Sequence, residues 1–415
     1  MFPAREALLA FRSHSSRPKG FGMTAQRNSK KPTIALVLQG GGALGAYHIG
    51  AYQALAEHDF HPDWVAGISI GAINSAIISG NRPEDRVARL DSFWESISWP
   101  EFRAPVDFLP LATFHNMVSN AEALLFGQPN FFSPRPVNPY LVSNAAPQTV
   151  SFYDTTPLLF TLSRFADFGL INNKITRLSL GATNIETGKI EFFDNHHMPL
   201  GPEHVLASGS LPPGFPATLI GTNYYWDGGC VSNTPLNAVV DDLTDDHYVV
   251  FMIDLWDIAG PAPTNINEVM WRSKQIQYAS RTPAHIEAMA LKMNLRYAMA
   301  QLESMRAGAD KDMEAEGGRH QPAQRLDIVH IIYHPGPDQI PNSDAEFSRN
   351  SIAARRAAGY HDLKAAIAAA PWFTRDVPPE TCALVHRVEN NQVTTMTGAE
   401  EPTAQFQTQQ ASAVA

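Results

Sequence analysis

The sequence predicts an α/β fold on a mostly parallel sheet. Three features carry that expectation: an apolar strand that runs into a glycine triplet, a helical period directly after the triplet, and a second strand, sharp turn and helix close behind. The first strand is Thr33-Ile34-Ala35-Leu36-Val37-Leu38-Gln39, a continuous run rich in β-branched residues, as in a parallel strand covered on both faces. It ends at Gly40-Gly41-Gly42. Beyond it Leu44, Tyr47, His48, Ala51 and Leu55 recur at three and four positions, the spacing of one helix face. Residues 64–68 read as the second strand and 72–79 as its helix. Further strands are expected at 178–184, 189–193, 248–255 and 326–333.

The other segments divide the chain. Residues 93–140 hold ten aromatics and seven prolines, and read as a loop-rich insertion in the main domain at 32–258, one that buries its own aromatics. Residues 259–388 read as a mainly helical C-terminal region. There Thr282 and Pro283 start a helix whose Leu291, Leu295, Ala298, Leu302 and Met305 repeat at four and three, and a further helix is expected at about 345–370. Six of the twelve methionines lie between Met270 and Met313 and are expected to pack as soft core. The Thr, Gln and Ala tail at 389–415 has too little apolar surface to order itself, and the arm at 1–31, with seven Lys or Arg, reads as disordered.

Composition narrows the function classes. With 31 Lys and Arg against 41 Asp and Glu the net charge is −10, which repels nucleic acid and anionic headgroups, so membrane contact must be local or apolar. Cys230 and Cys382 are too few for a disulfide scaffold and lack CxxC spacing, which fits a reducing, cytoplasmic setting without bound metal or other cofactor. The arm has no apolar core of the length a secretory signal needs, and Met23 is an alternative start. Residues 64–80 are uncharged but interrupted by three glycines and three serines, and read as strand plus helix rather than a membrane span.

Two overlapping motifs compete for the chemistry. Gly40, Gly42 and Gly45 spell GxGxxG between strand and helix, the dinucleotide fingerprint of a hydride-transfer enzyme. That fingerprint needs an acid at the end of the second strand, whereas Asp59 and Asp63 precede residues 64–68. At the correct end stands Gly67-Ile68-Ser69-Ile70-Gly71, a GxSxG nucleophile elbow in its strand-to-helix setting. Side chains at Gly67 or Gly71 would clash where strand and helix meet. The helix that follows turns its positive end toward Ser69. The backbone N–H groups of Gly40, Gly41 and Gly42, at the same sheet edge, are candidate oxyanion donors. For the base, His196, His197 and His204 have no distinctive setting. Asp227, ahead of Gly228 and Gly229, is a better candidate, although Asp-Gly-Gly alone reads as an ordinary turn.

Taken in order, Gly40-Gly41-Gly42-x-x-Gly45, Gly67-x-Ser69-x-Gly71, Ala207-Ser208-Gly209-Ser210-Leu211-Pro212-Pro213 and Asp227-Gly228-Gly229 resemble a patatin-like phospholipase over about residues 33–240. The resemblance implies a three-layer α/β/α fold and, as in some bacterial members, a helical C-terminal extension. It implies a Ser-Asp dyad without histidine, with Ser69 as nucleophile, Asp227 as base and the glycine loop as oxyanion hole. A dyad works only if the carboxylate is held against the serine and partly desolvated, and Trp226 is the expected apolar wall. One position departs from the family pattern: Leu44 stands where Arg or Lys is common, which removes a cationic partner for a phosphate and tilts the substrate toward neutral or hydroxyacid esters, while phospholipid, cleaved as by a phospholipase A or lysophospholipase, remains the leading class that the resemblance implies. The expected partner is thus a lipid or other acyl ester, with peripheral membrane contact and no nucleic acid. A nicotinamide oxidoreductase and a non-catalytic lipid- or protein-binding module remain the alternatives.

Overall fold

Both faces of the first strand are apolar, so it takes a central place in the sheet. In the computed structural model, which describes residues 31–99, 119, 122–244, 247–279, 282–309, 325–336, 341–370, 372, 381–389 and 392–397, the strands are β1 (Thr33–Leu38), β2 (Trp64–Gly67), β3 (Ser133–Pro134), β4 (Tyr153–Asp154), β5 (Arg177–Asn184), β6 (Ile190–Asp194), β7 (Thr218–Ile220), β8 (Asn223–Asp227), β9 (His247–Asp254), β10 (Arg325–Ile332), β11 (Ala383–Glu389) and β12 (Gln392–Met396). The helices are α1 (Tyr47–Glu57), α2 (Ile70–Ser79), α3 (Arg86–Ser96), α4 (Thr156–Phe165), α5 (Phe168–Asn172), α6 (Pro202–Ser208), α7 (Leu236–Val240), α8 (Ile266–Ala279), α9 (Thr282–Ala309) and α10 (Arg349–Ala369).

The main sheet runs β12-β11-β10-β9-β1-β2-β5-β8-β7, with β6 paired to β5. From β11 to β5 every neighbour is parallel, and the antiparallel strands lie toward the ends. Alternation along β1 splits the core. Ile34, Leu36 and Leu38 pack with α1, α2, α3 and α10, whereas Ala35 and Val37 pack with Leu236 and Val239 of α7 and Ile286, Met289 and Ala290 of α9. The result is the three-layer α/β/α arrangement with helices on both faces.

Three of the C-terminal elements join this sheet. Residues 259–388 hold the long helices α8, α9 and α10, and the strand expected at 326–333 forms as β10, but β11 was not expected and continues the parallel array beyond it. Strand β11 escapes a hydropathy reading because its interior carries His386. That ring is 1% exposed and meets Asp327 at 2.8 Å, and His247 and Arg325 bond the same carboxylate. Burial alone would raise the Asp327 pKa, but these partners outweigh it and hold the group well below the usual carboxylate range. The tail expected to lack order contributes β12, antiparallel to β11, because the open edge of β11 supplies backbone partners that apolar content does not. Residues 1–30 and 398–415 lie outside the described residues.

Two other expectations change. Met289 and Met293 pack in the core as expected, but Met270 and Met299 are exposed, as are Leu291, Leu295 and Leu302, so the apolar period of α9 faces outward over much of its length. In the insertion, Phe131 and Phe132 pack against Phe215, and Phe131 also against Phe347, anchoring it to the body, while Leu125, Phe126, Tyr140 and Leu141 stay exposed. Residues 100–118 of the insertion fall outside the described set. Among the described residues no helix is long and apolar enough to cross a membrane.

Helices α1 and α10 meet backbone to backbone. A Cβ on Gly50 would overlap the Arg356 carbonyl, and one on Gly359 the Tyr47 carbonyl. Gly359→Ala should therefore destabilise the protein by about 3 kcal/mol despite its gain in helix propensity, read as a lower urea midpoint at unchanged slope.

Candidate active site

Strands β1 and β2 are parallel with Leu38 opposite Gly67, so the glycine loop after β1 and the turn after β2 emerge at one edge. Beyond β2 the chain turns through Ser69 at φ 55 and ψ −125, a conformation that costs a non-glycine residue roughly 1–3 kcal/mol, and enters α2. The turn closes tightly: a Cβ on Gly67 would overlap the Gly71 carbonyl oxygen, and one on Gly71 the Leu38 carbonyl oxygen. The Ser69 N–H donates to both the carbonyl and the hydroxyl of Ser208 at 3.1 Å, and the Ser208 hydroxyl donates to Gly181 O at 2.6 Å.

Asp227 ends β8 and lies opposite Ala182 of β5. Its N–H donates to Ser210 O at 2.9 Å, so residues 208–210 hold the backbone of Ser69 and of Asp227 together. The carboxyl is 1% exposed. Oδ1 accepts from Gly229 N at 2.7 Å, while Oδ2 makes no completed hydrogen bond. Burial pushes the pKa up to about 6, and the Ser69 hydroxyl and the Gly229 N–H restrain that rise. The Ser69 hydroxyl is therefore near enough to act on the carboxyl without a completed hydrogen bond to it. Trp226 does not form the expected wall, because consecutive strand residues point to opposite faces.

The glycine loop lies against the serine: a Cβ built on Gly40 would sit 3.0 Å from Ser69 Cβ. Gly40 is itself fastened. Its carbonyl accepts from Asn233 Nδ2 at 2.9 Å and Trp256 Nε1 at 2.8 Å, and its N–H donates to Asn233 O at 3.2 Å. That bond removes Gly40 from the expected set of three oxyanion donors. The N–H groups of Gly41 and Gly42 make no hydrogen bond among the described residues. Gly42 takes φ 55, and a Cβ there would overlap the Asp344 carbonyl. Gln39 anchors the loop from below, with Oε1 accepting from Leu255 N at 2.6 Å and Nε2 donating to Thr234 at 2.9 Å.

The other candidates lie apart from this edge. Asp63 accepts from Ile34 N at the start of β1, the opposite end from the glycine loop, which removes the dinucleotide reading. His204 accepts from Gly201 N and packs on Phe193, and His197 stands 4.0 Å from Asp242. Leu44 is fully buried and faces no headgroup. Cys230 borders a cavity of about 130 Å³ lined also by Gly229, Asn233, Tyr278, Thr282 and His285. Burial, and then the Asp227 charge, push its thiol up to about 11, too high for a ready thiolate. Sequence reasoning passed over Asn233 and Trp256, and it quoted Ser208 and Ser210 without a role. Asn74 was missed as well; it joins α2 to Gly45 O at 3.0 Å and to His48 at 3.1 Å.

A strained serine at a strand-to-helix elbow, beside a buried aspartate and a glycine loop, is the arrangement of an α/β serine hydrolase. Comparison with known proteins narrows that class. The family model for patatin-like phospholipases matches residues 36–240, and a second model, described as a patatin phospholipase, matches residues 276–379. The chain belongs to the patatin-like phospholipase family. It is 43% identical over 67 residues to the triacylglycerol lipase SDP1L of Arabidopsis thaliana, covering 16% of this chain and 8% of that one. It is 44% identical over 62 residues to mouse patatin-like phospholipase domain-containing protein 6, covering 15% and 5%. These matches thus span under a tenth of either relative. VipD from Legionella pneumophila aligns over 80% of this chain and 67% of its own at 14% identity and a TM-score of 0.31.

The raised pKa of Asp227 has a consequence for stability. A carboxyl whose folded pKa exceeds its unfolded value stabilises the fold below the unfolded pKa, and that contribution is lost as pH rises through the folded one. Between about pH 4 and pH 6 wild-type protein should therefore lose stability relative to Asp227→Asn. Above pH 7 the variant should be the more stable by about 2–3 kcal/mol, with the gap closing near pH 4. Urea melts of both proteins across this range check it.

Proposed function

We propose that this protein is a serine acyl hydrolase that cleaves lipid carboxylic esters, in the manner of a phospholipase A or lysophospholipase, through a Ser69–Asp227 dyad. The observation that best supports this reading is the strained Ser69 near a fully buried carboxylate whose Oδ2 has no hydrogen-bond partner among the described residues. Asp227 takes the proton of Ser69, the serine oxygen attacks the ester carbonyl, and the Gly41 and Gly42 N–H groups receive the oxyanion. The alcohol leaves with the proton, and water hydrolyses the acyl-enzyme by the same route. With a pKa of about 6, about nine in ten Asp227 side chains are ionised at pH 7, yet the carboxylate is more basic than a solvated one. Each oxyanion donor is worth about 10²–10³ in rate.

The substrate class is a lipid ester, with neutral or hydroxyacid esters as the second reading. Leu44 does not decide between them, because its fully buried side chain faces no headgroup. Contact with the membrane is proposed to be peripheral and on its cytoplasmic side. Helix α9 supports this with Leu291, Leu295, Met299 and Leu302 exposed by 42–63% at helical spacing, and with exposed Lys292 and Arg296 along one edge of the stripe. An apolar face with a basic edge suits the boundary of an anionic bilayer.

Three measurements test this reading. Ser69→Ala and Asp227→Asn should each abolish turnover of a lysophospholipid and a monoacylglycerol while leaving the fold intact, and fluorophosphonate should label Ser69 alone; turnover retained in folded Ser69→Ala refutes the dyad. The kcat/KM of the wild type should fall about tenfold per pH unit below an apparent pKa near 6, since the base must be ionised. The double variant Leu295→Glu, Met299→Glu should sediment less with phosphatidylglycerol vesicles yet hydrolyse a water-soluble ester at the wild-type rate.

A further inference from the structure

The glycine loop is held from the far end of the chain. Arg355 of α10 is only 4% exposed, and its guanidinium is spent on backbone carbonyls: Nη1 donates to Ala43 O at 3.0 Å and Glu346 O at 2.8 Å, and Nη2 to Ser343 O at 3.0 Å. The Glu346 carboxylate, buried as well, stands 3.6 Å from Nη2. A buried cation is costly unless it is paired and hydrogen-bonded, so this side chain is committed to the junction it forms. Ala43 directly follows Gly42, whose N–H is one of the two unpaired donors of the loop. The segment that Arg355 binds also touches Gly42 itself, through the Asp344 carbonyl that leaves no room for a Cβ. That segment is fixed in turn from α8, where Lys274 Nζ reaches Asp344 at 2.7 Å and Asn342 at 3.0 Å.

We infer that Arg355 is a positioning residue for the oxyanion loop. By holding the Ala43 carbonyl against residues 343–346 it sets the direction in which the Gly41 and Gly42 N–H groups point. The inference rests on the serine hydrolase reading above. Its physical basis is geometric: a guanidinium presents several N–H donors in one rigid plane and can fasten three carbonyls at once, which an ammonium on a flexible stem does less well. Gly42 takes φ 55, a conformation open to glycine without strain, so the direction of its N–H is set by the neighbours that hold the loop. Displacement of such donors by about 1 Å is enough to lose about a hundredfold in rate. The guanidinium also brings a cation to a loop whose own motif position carries the neutral Leu44.

The test uses the full chain with Arg355→Lys, Arg355→Met and the control Tyr47→Phe. The control removes the 2.8 Å bond from Tyr47 to Asp362 between α1 and α10 without touching the glycine loop. For each, kcat and KM on a soluble ester, the rate of fluorophosphonate inactivation and the Tm are measured. Arg355→Met should lower kcat and the inactivation rate by about 10–100-fold, with KM within about twofold of wild type and the acid limb near pH 6 kept, because Asp227 is undisturbed. Arg355→Lys should recover part of the loss. Tyr47→Phe should keep the wild-type kcat even where its Tm falls as far. Wild-type kcat in folded Arg355→Met overturns the inference, and so does an equal kcat loss in Tyr47→Phe at the same Tm. If Arg355→Met does not fold, the lysine variant decides: reduced kcat at unchanged KM supports the inference and wild-type kcat overturns it. Failure of the hydrolase reading is separate, since it would show as wild-type protein that neither labels nor turns over.

Discussion

The pairing of β1 with β2 is the constraint that creates the site. Parallel register with Leu38 opposite Gly67 brings two strand ends to the same height, and the Ile68 N–H reaches Leu38 O at 3.3 Å. A glycine loop and the turn that carries Ser69 then issue side by side. A slip of one residue would turn the apolar side chains of a strand to the wrong layer, so the same burial that stabilises the sheet also fixes the geometry of the candidate site. The proposed base, Asp227, arrives by a different route. Strand β5 pairs with β2 on one side and with β8 on the other, so Asp227 is carried to the elbow by two further ladders.

Around these ends the structure spends polar groups on backbone. Ser208 and Ser210 grip Ser69 and Asp227, Asn233 and Trp256 grip Gly40, and Gln39 grips Leu255 and Trp256. None of these side chains needs to touch a substrate. They hold in place a serine in strained backbone and a carboxyl whose ionisation burial resists. A site of this kind is assembled by its supports as much as by its reacting atoms.

The glycine pattern and Ser69 were legible in the sequence because the constraint there is local: strand, turn and helix are contiguous, and the glycines mark points where backbones touch. Asp227 was legible as one block among four rather than by its own setting. The strands up to β10 could be read wherever their apolar runs were continuous, but β11 could not, because His386 is satisfied by Asp327, which lies 59 positions away. For the same reason nothing near Asn233 or Arg355 in the chain announces a bond to Gly40 or Ala43. Their partners are separated from them by 193 and 312 positions, and only the fold brings them together. The outward face of α9 eluded the reading too, since a helical period states that one side is apolar but not whether that side is covered.

The insertion of β10 beside β9, with α10 laid over α1, has a consequence for the order in which the protein matures. A ribosome delivers Ser69, the glycine loop and Asp227 long before it delivers residues 325–389, yet the face of α1 closed by Gly359 and the edge of β9 closed by β10 stay open until those last residues emerge. The nascent chain therefore carries these candidate site residues through most of translation with an unpaired sheet edge, a state prone to association. Because the central strand waits for partners more than two hundred positions downstream, closure of the sheet is also expected to be slow. Synthesis of β10 and α10 thus marks the moment at which the edge of β9 and the face of α1 are covered.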